Sequence, residues 1–215
     1  GTGSDLIKTL GIPKPFAEAA KVIASGTTRT IDVGLMTLFD HDGNEVPRYF
    51  VNIASFGIGG EVDERVNRSK KRLGGFLSFL LASTAALMTY KHKPVEIQLD
   101  DMPVIKQRIL LCAVANGRFF GGGMKVAPNA EIDDGLFDVV VIGESSKLQL
   151  FMRMPKIYSG AHLSNPGVEV YRARRVVARS SERVLLDVDG EQPGRIDSTF
   201  EIVPSALKVR VPKGG

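Results

Sequence analysis

Between Thr28 and Phe39 the chain alternates, with Ile31, Val33, Leu35, Thr37 and Phe39 set against Thr30, Asp32, Gly34, Met36 and Leu38. A period of two predicts a strand with one face on a core. His41-Asp42-Gly43-Asn44 supplies a hairpin turn, and Val46 to Ser55 returns as a second strand. Phe56-Gly57-Ile58-Gly59-Gly60 breaks it, and Glu61 to Lys71 follows as a polar helical segment ending in the basic cluster Arg68, Lys70, Lys71 and Arg72. Downstream, Pro94–Leu99 alternates, Asp100-Asp101 turns, Val104 to Ala115 is a long apolar strand, and Leu136–Ile142 is another. Lys147 to Leu163 reads as an amphipathic helix carrying Leu148, Phe151, Met152, Ile157 and Tyr158, stopped by Asn165-Pro166-Gly167. Val168–Ala178, Arg183–Val188, Phe200–Val203 and Leu207–Val211 complete the strands. Ahead of them, Gly11-Ile12-Pro13 ends a short helix, and Pro15 to Ser25 forms a second with Phe16, Ala19, Ala20 and Ile23 on one face. Many short strands separated by turns predict a mainly β fold with helices, an antiparallel sandwich or barrel.

One segment departs from this pattern. Leu73 to Tyr90 holds eighteen residues and no charge. As a helix it spans about 27 Å, close to the hydrocarbon thickness of a bilayer. Gly74, Gly75, Ser78, Ser83, Thr84 and Thr89 dilute it, and strands flank it on both sides. The expectation is a helix lining the core or an apolar pocket, or one at a membrane interface with Arg72, Lys91 and Lys93 among the headgroups.

Composition adds bounds. The chain has 215 residues, 43% hydrophobic and 24% charged, enough for one large domain or two small ones. The net charge of +4 is mild and interleaved with acids, so it permits a nucleotide, an anionic membrane or an acidic ligand and compels none. The single cysteine, Cys112, lies inside the apolar run Ile109–Val114. It excludes an internal disulfide and fits a buried position in a reducing compartment. Residues 1–10 carry Asp5 and Lys8 and no long apolar block, so no signal peptide is expected.

The chemistry concentrates in Asn116 to Val139. Gly117, Gly121, Gly122 and Gly123 are followed by Pro128, Asn129 and the run Glu131-Ile132-Asp133-Asp134-Gly135. Three carboxylates beside a turn glycine suit a hard cation such as Mg²⁺ or Ca²⁺. They equally suit an acidic turn before the next strand, and the spacing is not that of an EF-hand. Gly1-Thr2-Gly3-Ser4-Asp5 before Leu6 to Leu10 is a glycine loop leading into a helix, an arrangement that favours a phosphate. Asp189-Gly190-Glu191 places two carboxylates about one glycine, either as a solvated hairpin turn or as paired groups facing a substrate. His41, His92, His162, Ser181 and Cys112 show no triad-like context.

Four motifs in order resemble the diacylglycerol kinase-like lipid kinases, the group holding bacterial diacylglycerol kinases, their YegS-like relatives and the sphingosine kinases. They are Gly1-Thr2-Gly3-Ser4-Asp5 with Leu10-Gly11-Ile12-Pro13; Asn52-Ile53-Ala54-Ser55-Phe56-Gly57; Asn116-Gly117-Arg118 with Gly121-Gly122-Gly123-Met124 and Asp134-Gly135; and Asp189-Gly190-Glu191. The usual first motif is Gly-Thr-Gly-Asn-Asp, and Ser4 stands in place of the Asn. The resemblance implies two domains. Residues 1–27 are then the last piece of an α/β ATP-binding domain, whose Gly-Gly-Asp-Gly-Thr loop is absent from this sequence, and 28–215 are an antiparallel β-sandwich that takes the lipid. It further implies ATP at Gly1, Thr2, Gly3 and Asp5. A metal site is implied at Asp134 with oxygens from Glu131 and Leu136, Mg²⁺ by preference and Ca²⁺ at the same site. The catalytic carboxylate is implied at Glu191, with Asp189 beside it.

Phosphoryl transfer needs positioning, a divalent cation and an acceptor for the attacking hydroxyl's proton, and a carboxylate suits the last role. The expected function is ATP-dependent phosphorylation of a diacylglycerol-like or long-chain lipid, with the upstream domain required for activity. The alternative is a non-catalytic lipid- or metal-binding β-sandwich module. Expected partners are the lipid substrate and a peripheral membrane surface on the cytoplasmic side, with a homodimer admitted and no nucleic acid.

Overall fold

The computed structural model describes residues 3–68 and 83–214, the side chains of 66–68 excepted. Two short helices, α1 (Asp5–Thr9) and α2 (Phe16–Ser25), precede ten strands. These are β1 (Thr27–Phe39), β2 (Glu45–Phe50), β3 (Ile53–Gly57), β4 (Lys93–Leu99), β5 (Ile105–Ala115), β6 (Phe137–Gly143), β7 (Val168–Ala173), β8 (Arg175–Arg179), β9 (Leu186–Val188) and β10 (Arg195–Val211). Helix α3 (Ile58–Arg68) follows β3, and residues 83–89 are helical. Lys147–Arg153, Lys156–Ser159 and a 3-10 turn at Ala161–Ser164 lie between β6 and β7.

Every strand pairing is antiparallel, in the order β2-β1-β10-β8-β4-β5-β3-β9, with β6 on β5 and β7 on β6. The sheet branches at β5, whose first half pairs with β4 and whose second half pairs with β3. It closes on a core that draws on all ten strands. Phe50, Phe56, Phe137 and Phe200 are fully buried there. Phe50 stacks on Phe137 at 5.6 Å and Phe56 on Phe200 at 6.2 Å, which ties β2, β3, β6 and β10 together through large apolar contacts. Val126, Ala127 and Ala130 cover the outer face of β5 and β6. Leu10 packs with Ile31, Ile132 and Val211, seating the N-terminal segment on the β1–β10 ribbon. Cys112 is wholly buried, and that burial pushes its thiol pKa up, as its apolar neighbours imply.

The antiparallel β-sandwich expectation holds, with local differences. The strand predicted over Val46–Ser55 is two, because Val51, Asn52 and Ile53 turn their N–H groups to the Asp189 carboxylate rather than to a neighbouring strand. Val168–Ala178 is also two strands. At Arg174 the chain leaves β6 for β4 and β10, and the Asp100 carboxylate takes the Arg174 and Arg175 N–H groups. The two strands predicted at the C-terminal end are one, β10, with a bulge where Ser205 N–H bonds Asp32 at 2.7 Å. The helix predicted over Lys147–Leu163 is interrupted at Pro155 and Gly160. Leu148, Phe151 and Met152 on its first piece are exposed. Most of the charge-free helix predicted over Leu73–Tyr90 lies outside the described residues. Among those described, no helix is long and apolar enough to cross a membrane.

Candidate active site

The fold brings the four sequence motifs into one connected network. Its centre is the turn between β9 and Glu191. Asp189 (φ 51°) and Gly190 (φ 85°) both sit in the left-handed region, and Val188 and Glu191 exchange backbone hydrogen bonds of 2.8 and 3.0 Å. This is a type I′ hairpin turn, for which Asp-Gly is a favoured pair. Its carboxylate is not left to solvent. Asp189 Oδ2 accepts the Val51 N–H at 2.9 Å, and Oδ1 accepts those of Asn52 at 3.1 Å and Ile53 at 2.9 Å. The Asp189 N–H in turn donates to the Ile53 carbonyl at 3.0 Å.

Asn52 carries the network onward. Its carbonyl accepts the Asn116 and Gly117 N–H groups, each at 2.9 Å, and its amide donates to the Phe119 carbonyl at 2.8 Å. The Asn116 amide donates to the Val51 and Asp32 carbonyls at 2.7 and 3.0 Å. From there the glycine loop reaches the N-terminal motif. The Arg118 N–H bonds Thr9 Oγ1 at 3.0 Å, and the Gly122 N–H bonds Asp5 Oδ2 at 2.8 Å. Lys8 pairs with the other Asp5 oxygen at 2.7 Å and reaches the Gly3 carbonyl at 3.4 Å. Gly1 and Thr2 lie outside the described residues.

Glu191 differs from Asp189. Its side chain is 70% exposed and its carboxylate meets the guanidinium of Arg48 on β2. The two carboxylates about Gly190 therefore hold distinct stations: one is saturated by backbone donors, and the other is open and held by a cation.

The acidic loop hangs from Asp32, a buried residue of β1 whose N–H donates to the Ile132 carbonyl at 2.8 Å. The Asp32 carboxylate accepts the Gly135 N–H at 2.7 Å, besides that of Ser205. The three carboxylates predicted there part company. Asp133 forms a two-bond pair with Arg29 at 2.8 and 2.9 Å, and that guanidinium holds its pKa below the usual carboxylate range. Asp134 accepts the Leu136 N–H at 3.0 Å and meets Arg172, while Glu131 is exposed.

Asp138, one residue into β6, keeps a buried Oδ2 with no hydrogen-bond partner, 3.7 Å from Arg172 Nε. Its pKa is raised by burial first and by Asp134 and Glu131 as well. A buried, unsatisfied carboxylate oxygen beside Asp134 marks a place short of positive charge, and all the donors are hard oxygens. The residues present thus fit Mg²⁺ or Ca²⁺. Arg172 competes for the same carboxylate. No three side-chain ligands converge among the described residues, so a cation here would depend on backbone oxygens such as those of Glu131 and Leu136.

Sequence reading missed Asp32, Arg48 and a pair of contacting carboxyl groups, Asp63 on α3 and Asp187 on β9. Burial is the first cause raising both pKa values, Asp63 to about 9 and Asp187 to about 6. Asp63 stands one turn beyond Gly59, and its position on the glycine face of a helix was the available signal.

Comparison with known proteins decides the family. The sequence profile described as the YegS C-terminal NAD kinase beta sandwich-like domain matches residues 52–211. The chain belongs to this family. Diacylglycerol kinase from Mycobacterium tuberculosis (strain ATCC 25618 / H37Rv) is 30% identical over the whole of this chain and 68% of its own length. Diacylglycerol kinase from Bacillus subtilis (strain 168) is 28% identical over 99% of this chain and 67% of its own. A solved structure of a candidate diacylglycerol kinase from Bacillus anthracis str. Sterne matches with a TM-score of 0.71 and 26% identity, covering 98% of this chain and 67% of that one. The chain spans about two thirds of the length of these diacylglycerol kinase-like relatives.

Proposed function

We propose that this chain serves a lipid kinase that moves the γ-phosphoryl group of ATP to the hydroxyl of a diacylglycerol-like or long-chain lipid. Glu191 is the general base. It accepts the hydroxyl proton as the lipid oxygen bonds to the γ-phosphorus, the bond to the ADP oxygen breaks, and ADP leaves. The observation that carries this assignment is the contrast at the turn: Asp189 has its oxygens on three backbone N–H groups, whereas Glu191 is open to a substrate. Asp189 fixes the turn, and Arg48 orients Glu191.

Residues 1–27 end the nucleotide-binding domain, with Gly1, Thr2, Gly3 and Asp5 at its phosphate side. Asp134 and the Glu131 and Leu136 carbonyls would hold a divalent cation, which neutralises local charge and fixes the loop. Membrane contact is assigned to the segment Leu73–Tyr90 together with the exposed Leu148, Phe151 and Met152. Residues three and four apart on a helix share a face, so these three form one apolar stripe, and Lys147 beside them reaches the Met88 carbonyl.

The test is transfer of labelled phosphate from ATP to a panel of lipids by the protein joined to its upstream nucleotide-binding domain. Glu191→Gln should lower turnover by about 10²–10⁴-fold, with unchanged KM for ATP. A wild type that phosphorylates no lipid in the panel would overturn the kinase reading and leave a lipid-binding module.

A further inference from the structure

Beneath the Asp189–Gly190 turn lie two carboxyl groups that the proposed chemistry does not use. Helix α3 approaches the sheet closely. A Cβ on Gly60 would fall 2.6 Å from the Leu185 Cβ, and one on Gly59 would fall 2.7 Å from Ser55 Oγ. Asp63, on the same helical face as Gly59, contacts the Asp187 carboxyl group. Asp187 Oδ1 accepts the Gly190 N–H at 2.9 Å, and Oδ2 accepts the Ser55 hydroxyl at 3.3 Å. Asp63 Oδ2 is shut off from solvent, and no donor among the described residues reaches it. Two ionised carboxylates are acceptors only and cannot bond each other; a proton between them makes one a donor.

Among the described residues, other charges nearby do not replace that proton. Arg183 is engaged by Glu64 at 3.2 Å and Arg65 by Thr89 at 2.7 Å. Asp189 and Glu61 are carboxyl groups and add no cation. The residues of β3 and of Leu111–Ala115 on β5, against which α3 packs, are uncharged.

We propose that Asp63 and Asp187 share one proton, and that this proton holds α3 against β9 and thereby positions the Asp189–Glu191 turn through the Gly190 N–H. Asp187 is a positioning residue, and its part in catalysis rests on the reading of Glu191 as base; the shared proton does not. When the proton leaves, two like charges face each other in a partly enclosed site, and the turn loses its lower anchor.

The sign follows from burial. Both folded-state pKa values lie above the unfolded value of about 3.9, so the folded state binds more protons and stability falls as pH rises. The pair acts as a unit, retaining one proton through neutral pH and losing it on the alkaline side, with the upper value at about 9.

The experiment uses the protein joined to its upstream domain, as wild type, Asp63→Asn and Asp187→Asn. In either variant an amide N–H takes the place of the titrating proton. In wild type, Tm should fall from about pH 4 and level off near pH 9, while kcat should fall with its midpoint on the alkaline side. In Asp63→Asn both falls should vanish. Infrared spectra of wild type at pH 7 should contain a protonated-carboxyl C=O band that disappears with the midpoint of the kcat fall and is missing from Asp63→Asn. An equal alkaline fall in wild type and variant, or no protonated band in wild type, overturns the proposal. If Asp63→Asn does not fold, the wild-type infrared titration and Asp187→Asn decide. A protein that phosphorylates no lipid removes the kinase reading, while Tm and the infrared band still decide the shared proton.

Discussion

Replacing Asp189 separates a structural clamp from a catalytic base. The carboxylate accepts three backbone N–H groups at 2.9, 3.1 and 2.9 Å. Hydrogen bonds to a charged group contribute about 1.5–3 kcal/mol each. The lower end applies here because Asp189 is an exposed residue, so water can reach released donors. Asp189→Ala loses all three bonds and also puts alanine at φ 51°, where a Cβ costs about 1–2 kcal/mol. The expected destabilisation is about 5.5–6.5 kcal/mol, a large part of the roughly 5–15 kcal/mol that holds a domain together. Asp189→Asn keeps one acceptor oxygen for Asn52 and Ile53 and tolerates the left-handed backbone, but it turns an N–H₂ toward Val51. It should cost about 1–3 kcal/mol. Glu191→Gln removes one exposed ion pair with Arg48, which is worth roughly 0–1 kcal/mol. Urea unfolding, compared at constant m-value, reads all three. The expected order of damage to stability is Ala above Asn above Gln, with turnover most damaged per unit of stability by Glu191→Gln. If Asp189→Asn leaves the midpoint unchanged while abolishing turnover, the clamp argument fails and Asp189 is the base.

Two further outcomes concern the metal loop and the membrane. Asp134→Ala should abolish the rise in Tm produced by Mg²⁺ or Ca²⁺, and Arg172→Ala should enlarge it by freeing Asp134 from its guanidinium; equal metal responses in both variants and wild type would assign the loop to Arg172 alone. Vesicle co-sedimentation should rise with anionic lipid and fall with salt, and Leu148→Asp with Met152→Asp should weaken it at every lipid composition. Binding indifferent to that double change would place the contact elsewhere.

Some of this was legible before the structure. Strands β1, β5 and β6 fall within about one residue of their predicted ends, because alternation or an apolar run is a local signal. The breaks at Pro155 and Gly160 carry the same kind of local signal, although the reading ran one helix through them from Lys147 to Leu163. The break at Val51–Asn52 was not: the acceptor of those N–H groups is 136 to 138 residues away. The continuity of β10 through Ser205 depends likewise on Asp32, 173 residues distant. At the site, the residues alone placed two carboxylates about Gly190 without an order, and only the family resemblance put Glu191 first; the backbone donors that distinguish Asp189 come from far along the chain. Asp63 differs from the other acids of its polar helix only in sharing a face with Gly59. Its burial comes from the close approach that Gly59 and Gly60 permit.

The reach of Asp32 bears on when this site can come into being. Its carboxylate ties Gly135, 103 residues later, to Ser205, a further 70 residues on. Contacts of such separation must overcome the entropy of large loops and form late. On a chain emerging from the ribosome, the acidic loop could settle on β1 as soon as Gly135 is free. The Asp189 clamp and the second Asp32 bond wait for nearly the last strand. Translation thus runs through most of the strands before the site is assembled, and β1 and β2 join β8 and the rest of the sheet through β10, so an arrested or truncated product would lack both the site and the closed sheet.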